Sequence, residues 1–489
     1  MARRGCAGTW GYGGAVNNSK GTNPWAVTAA IVLGTLAIGL TMSMLNLGIP
    51  LMLADLRTDL ETIQWIITGP MLVNIALVPL VSWLTTRLGT RNVYLWAIAI
   101  WVATSLPCGL ATTPGGLIVA RLLQGIGGSL QIPTAIVVMY LAFPRQQRGL
   151  AMGLQQGVQW VAPALGMTLG GYLLELHGWR AGFWYPIPIG IASLGLTLWV
   201  LPNVRGGTHK PLDLAGLGTL TLALTLLLLA VSQGQRPGWT GIERFSLIGA
   251  GLLATAVFVW IERRQATPLF EFTLFRTGMF RTAVTVYFLN HFAAMGVSFA
   301  VIVVLQRVFD YSPLQVGWLL LPATLGRVLG EVVAGRLADR WGAWGLCRGG
   351  LAMLALASGA LGQLEQSPGA LALVGLLVLA NTGMAFSNAP VLYTGLRALP
   401  EPQIQMGSGL FSQIRIIGGT FGVGVVGPLV ALCERWGRQP PRDDAATMVP
   451  LPGTVPGGYQ GYFDLIALLM LVTLVLAVLM PSHWRRAAR

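Results

Sequence analysis

The chain has 489 residues, 54% of them hydrophobic and only 10% charged, with a formal net charge of +14. No ordinary soluble domain has this composition. Long uncharged stretches recur from Trp25 to Met480, so the sequence specifies an all-α polytopic membrane protein embedded in a lipid bilayer. The positive charges sit in short loops, which the positive-inside rule explains better than nucleic-acid binding does.

The first 24 residues are polar and Gly-rich and carry Arg3, Arg4 and Lys20. They contain no apolar core of a signal peptide and are expected to form a disordered cytoplasmic tail. Candidate spans follow at 25–51, 63–85, 92–112, 115–142, 149–173, 182–202, 212–232, 245–262, 280–305, 313–335, 346–364, 369–395, 407–433 and 462–481. These are fourteen, and an even number puts both termini on one side. With the N-terminus inside, 20 of the 31 Lys and Arg residues face the cytoplasm, 8 face out and three lie within spans. Both termini are therefore expected in the cytoplasm.

The run GGLIVARLLQGIGGSLQIPTAIVVMYLA (115–142) carries Arg121 in its interior. A charge there costs roughly 3 kcal/mol on insertion scales, so it must face protein or a water-filled cavity. The following run holds Gly153, Gly157, Gly166, Gly170 and Gly171. Small residues one turn apart let helix backbones approach closely. A buried charge beside such a helix fits a moving bundle with a solvated path better than an inert anchor.

An internal repeat is visible. LTTRLGTR (84–91) and LADRWGAW (337–344) align through Leu84, Arg87 and Gly89 with Leu337, Arg340 and Gly342. Transporters built from repeats show such symmetry. The chain is thus read as an N-terminal six-helix bundle (25–202), a central segment with two extra helices (203–275) and a C-terminal six-helix bundle (276–489). Cys6, Cys108, Cys347 and Cys433 show no metal spacing. No phosphate-binding loop, zinc-protease motif or hydrolase elbow is present. No enzymatic chemistry, cofactor or metal is expected.

Arg121 with Gln124-Gly125, then APALGMTLGG (162–171) and WRAGFWYPIPIG (179–190), resemble the first half of a major facilitator superfamily drug exporter, in the 14-helix drug:proton antiporter branch of the EmrB/QacA type. That branch carries W-R-x-x-F-x-x-N-x-P-x-G after its fifth helix, and Pro186 replaces the Asn here. Asp213 to Gly216 and Glu262 to Pro268 also look like that branch. The resemblance spans about residues 35–485. It implies the superfamily's fold, with fourteen helices in two six-helix bundles plus two central ones. It also implies multidrug-type proton antiport in a bacterial inner membrane; some relatives work with a periplasmic adaptor and outer-membrane channel.

In the family's first-helix pattern, Leu40, Asn46 and Pro50 match, but Thr41 replaces a membrane-embedded acid. A hydroxyl cannot take up a proton at physiological pH. Glu331 could replace that acid. Arg327 lies one turn earlier, and an i, i+4 pair faces itself on a helix. The pair either orients its helix or exchanges a proton. Asp464, at the start of the last span, is a further candidate for proton coupling. The family ties the arginine matching Arg121 to coupling. Arg415 matches R-x-x-G-G-x-x-G and is expected to pair with a neighbouring helix.

In the fifth-helix hinge, Gly166, Gly170 and Gly171 remain while Pro163 lies one turn early. The loop Gly335 to Gly342 matches G-x-L-A-D-R-x-G, so Asp339 is expected to cap a helix start, pair with an arginine of the neighbouring helix and so lock the outward-open state, with Arg340 beside it. Thr86 stands at the equivalent first-half site. Candidate cavity residues are Asn46, Gln64, Trp65, Asn74, Gln131, Gln156, Gln159, Trp160, Asn290, His291, Asn381, Asn388 and Gln413, each of which could equally be an interhelical contact. The expected cargo is a hydrophobic or amphipathic compound exchanged for protons. The alternative is one endogenous lipid-like molecule or metabolite without proton coupling, which the missing acid at position 41 favours.

Overall fold

The computed structural model describes residues 23–78, 80–201, 213–233, 241–265, 272–307, 309, 311, 313–363, 370–437 and 457–479. The expected tail, with Cys6, lies outside them except for its last two residues. The described residues contain α-helices and short 3-10 turns and no strand.

The N-terminal set comprises α1 (Pro24–Asp55), α2 (Leu60–Leu77), α3 (Leu80–Leu88), α4 (Thr90–Leu110), α5 (Pro114–Ala142), α6 (Arg148–His177), α7 (Ala181–Trp184) and α8 (Pro186–Val200). Next come α9 (Leu214–Gln233) and α10 (Gly241–Arg264). The C-terminal set comprises α11 (Gly278–Arg307), α12 (Pro313–Trp341), α13 (Ala343–Gly362), α14 (Ala370–Arg397), α15 (Ile404–Gly437) and α16 (Gly457–Leu479). Ten of the described helical stretches are long and apolar enough to cross a membrane. The fourteen spans expected from sequence go beyond these ten.

Two expected spans are each divided. The second stops at Leu77 and resumes at Leu80. The sixth is interrupted at Tyr185, just before Pro186, which has no N–H to donate. The last begins at Gly457, so Asp464 lies two turns inside its helix, not at its start.

Helix starts follow local chemistry. Asn23 accepts from the Trp25 N–H at 3.0 Å, ahead of a proline at the first position of α1. Asp59 accepts from the Thr62 N–H at 2.8 Å. Hydrogen bonding from the Thr62 side chain, and then from its N–H, holds the Asp59 carboxyl below the usual carboxylate range. Gly89 and Gly342 begin α4 and α13 with φ of 87° and 89°, a backbone region open essentially to glycine. The matched glycines of the sequence repeat therefore make the same turn twice.

Packing repeats as well. α1 packs on α6 and α8, as α11 packs on α15 and α16; α5 packs on α2 and α4, as α14 packs on α12 and α13. The α9–α10 pair touches both sets, with α9 against α2 and α15. The large apolar core includes Tyr94, Trp101, Tyr140, Tyr287 and Phe411. Many large apolar side chains, such as Trp199, Leu371 and Phe245, remain exposed, as a lipid-facing surface requires.

Candidate transport site

Arg121 projects from α5 into the N-terminal set and is buried. Its Nε donates to the Ile66 carbonyl at 3.0 Å, its Nη1 to Gln124 Oε1 at 2.5 Å, and its Nη2 to the Met42 sulfur at 3.6 Å. Gln124 donates onward to Ser105 at 2.6 Å. One guanidinium thus ties α5 to α2 and α1, and through Gln124 to α4. All three acceptors are neutral. Thr41, nearby in sequence, is buried and donates to the Ala37 carbonyl of its own helix at 3.3 Å. It adds no charge.

The second arginine is placed differently. Arg327 and Glu331 are both buried on α12, with Arg327 Nε and Glu331 Oε1 4.0 Å apart. The i, i+4 spacing does bring them together. The Arg327 guanidinium lies 3.7 Å from the centre of the Trp160 ring, which comes from α6 in the other set. A cation over an indole face is attracted by the ring quadrupole. Arg327 Nη1 points to the Met384 sulfur at 2.9 Å. Glu331 Oε1 also accepts from Asn388 Nδ2 at 2.9 Å. Arg327 Nε and Nη2, Glu331 Oε2 and Asn388 Oδ1 have no hydrogen-bond partner.

Beside this pair, Gln159 donates to Gln156 at 2.8 Å, and Gln156 donates to the Tyr287 hydroxyl of α11 at 3.2 Å. The Tyr287 and His291 rings are 4.4 Å apart, and His291 Nδ1 lies 3.0 Å from the Tyr287 carbonyl. Arg415 is half-buried on α15. Asn290 donates to Ser387, while its Oδ1 has no partner. Gln155 is fully buried with neither amide end bonded. Native proteins leave few buried polar atoms unpaired, so this concentration marks a place for water or a ligand.

The remaining candidates scatter. Gln131 donates to Thr35 at 3.0 Å and ties α5 to α1. Asn381 bonds the Leu377 carbonyl of its own helix. Gln413 is buried, Asn74 half-buried, and Asn46 and Trp65 exposed. The Gln64 side chain lies outside the described residues. Asp464 is exposed and abuts Gly362 at the end of α13, so it is not among the groups around Glu331. Tyr287, Met384 and Ser387 were not singled out from sequence. The Tyr287–His291 spacing of four was the available signal for the first.

The two sets also meet at the Asp339 end of α12. Asp339 accepts from the Gly149 and Leu150 N–H groups, each at 2.8 Å. These are free N–H groups of the first turn of α6, so the carboxylate caps a helix of the other set. Gly149, Gly153 and Gly335 permit the approach: a Cβ on Gly335 would collide with the Gly149 carbonyl and reach the Gly153 Cα at 2.9 Å. Arg145 and Glu401 add an exposed ion pair of 3.7 Å. Arg340 is exposed, and Arg87 stacks 4.4 Å from Trp83 within its own helix. Thr86, at the site repeated as Asp339, donates to the Ser82 carbonyl of its own helix at 2.8 Å.

Toward the opposite end of α6, Gly166 and Gly170 sit against Ser43 and Met44 of α1, while Gly171 faces open space and Pro163 is half-buried. The W-R motif acts as a fastener. Trp179 Nε1 and Arg180 Nη1 both donate to Asp55, at 2.9 and 2.5 Å, and Arg180 Nη2 reaches the Ala111 carbonyl at 3.0 Å.

Comparisons with known proteins agree with this architecture. The family model described as Major Facilitator Superfamily matches residues 31–423. The multidrug resistance protein Stp of Mycobacterium tuberculosis is 30% identical over 400 residues, covering 82% of this chain and 74% of its own. The tetracenomycin C resistance and export protein of Streptomyces glaucescens is 28% identical over 467 residues, covering 90% and 85%. Among solved structures, the human organic anion transporter MFSD10 superposes with a TM-score of 0.63 at 17% identity, covering 93% of this chain and 98% of its own. The proton:xylose symporter XylE gives 0.63 at 15%, covering 94% and 96%. These two likenesses concern the fold. With the family model spanning most of its length, the chain belongs to the major facilitator superfamily.

Proposed function

We propose that this protein is a secondary active exporter of hydrophobic or amphipathic small molecules, of the multidrug type, driven by proton antiport and working by alternating access. The observation that carries the reading is the Arg327–Glu331 pair, buried within the spans and covered by Trp160 from the other set. Charges in a membrane span are costly and mark substrate or proton pathways. The pair lies where two sets of helices meet, so separation of the sets would expose it. The similar proteins named for multidrug resistance and for tetracenomycin C export support the direction of transport.

On this reading fourteen spans form two six-helix bundles, within 25–202 and 276–489, with two added helices between them. Both termini face the cytoplasm of a bacterium, across its inner membrane. The Asp339 cap then closes the cytoplasmic side, and Glu331 exchanges the proton.

Vesicles containing the purified protein test this. A pH gradient should drive movement of amphiphiles drawn from a cationic, neutral and anionic panel. Glu331→Gln should abolish dependence on the gradient while leaving downhill exchange. Movement indifferent to the gradient in the wild type removes proton antiport. Thr41 at the position of the usual acid favours a second reading, a dedicated exporter of one endogenous lipid-like molecule or metabolite without proton coupling. Wild-type transport restricted to a single compound and insensitive to pH would select it.

A further inference from the structure

Arg121 and Arg327 are buried within α5 and α12, and Arg415 is half-buried on α15. Among the described residues, Glu331 lies beside Arg327, whereas the other buried carboxylates, Asp213 and Glu262, belong to the α9–α10 pair. Arg121 has each of its three nitrogens on a neutral acceptor. Arg327 differs from Arg121, because part of its guanidinium has no hydrogen bond.

The geometry of that part is specific. Nη1 is turned to the Met384 sulfur, a weak acceptor. The Trp160 ring covers the guanidinium plane. What remains is the edge formed by Nε and Nη2, and neither atom has a hydrogen-bond partner. Those two parallel N–H groups are a fork that matches the two oxygens of a carboxylate or sulfonate. Glu331 does not fill it. Its nearer oxygen is 4.0 Å from Nε and is engaged by Asn388, and its other oxygen has no partner.

We propose that the Nε/Nη2 edge of Arg327 seats the acidic head of the transported molecule, so that the substrate class is the amphipathic organic anion rather than the lipophilic cation. The inference rests on the exporter reading and names its cargo. An unbonded edge of a buried guanidinium attracts an anion and repels a cation, and low-dielectric walls strengthen both effects. Trp160 fixes the guanidinium plane. A cation would find only Glu331, already held beside Arg327.

Three naphthalene probes of similar size separate the charge types: 2-naphthalenesulfonate, 2-methoxynaphthalene and trimethyl(2-naphthyl)ammonium. Binding is measured by calorimetry on the full-length protein in nanodiscs, against empty nanodiscs. The sulfonate should bind at least about tenfold more tightly than the ammonium, as a charge-assisted fork requires. Arg327→Gln should remove that advantage and leave the methoxy probe unchanged, which also reports a folded site. Arg327→Lys, a point charge without the fork, should restore only part of it. Glu331→Gln should strengthen sulfonate binding by removing the nearby negative charge.

Tighter binding of the ammonium, sulfonate affinity unchanged in Arg327→Gln, or no binding of any probe would each overturn the proposal. Efflux from vesicles keeps the two readings apart. A protein that exports cations or neutral compounds but shows no preference for the sulfonate sinks only the anion assignment. One that binds the sulfonate through Arg327 yet moves nothing sinks the exporter reading instead.

Discussion

Two arginines at comparable depth have opposite surroundings. Arg121 is saturated by neutral acceptors from two neighbouring helices and its own, whereas Arg327 keeps an unfilled edge. Replacing Arg121 by alanine strands the Ile66 carbonyl and Gln124, each an unpaired buried group costing about 1–3 kcal/mol. Arg121→Ala should reduce transport more than tenfold on the order expected from such a loss, while the protein still elutes as a monodisperse peak. Aggregation instead would show that the arginine mainly holds the helices together. Asp339 makes two charge-assisted bonds to α6, and such bonds are worth about 1.5–3 kcal/mol each. Asp339→Ala should therefore shift the protein toward the conformation open at that end. A longer spin-label distance between cysteines placed at Arg145 and Glu401, which approach to 3.7 Å across the two sets, would report the shift, and an unchanged distance would count against the cap as a latch.

At the scale of elements, the crossing of α6 and α12 depends on three glycines. A side chain at Gly335 would press on the Gly149 carbonyl and the Gly153 backbone, atoms that cannot yield without moving the helix. Gly335→Val should cost the closed arrangement about 1–3 kcal/mol, as overpacking does, and a longer spin-label distance between the same two positions is the check. Much of this was legible from sequence. Apolar runs marked the helices, spacing of four brought Arg327 to Glu331, and the repeated motif located two of the three positive-φ glycines among the described residues, Gly89 and Gly342. The breaks at Leu77 and Tyr185 were not, because proline ends a helix in some contexts and only bends it in others. The cover of Trp160 over Arg327, and the Met384 sulfur on its Nη1, join helices far apart in the chain. No local period encodes them.

For the whole molecule, the packing of α1–α8 is repeated by α11–α16, and contacts at the Asp339 end hold the two sets together. Arg145 and Glu401 approach to 3.7 Å there. With the four native cysteines replaced, a cysteine pair at these positions joined through disulfides by a short bis-methanethiosulfonate reagent should arrest transport, and reduction should restore it. Continued transport by the cross-linked form would mean that this end never opens in the cycle.

The duplicated turn carries an acid in one copy and a hydroxyl in the other, and the hydroxyl is occupied on its own helix. Only one of the two fasteners that the symmetry allows exists. Under the orientation proposed above, an idle carrier waits with its outer door ajar. Cargo presented from the cytoplasm should then meet a lag before the first molecule leaves, and removing the acid should shorten that delay.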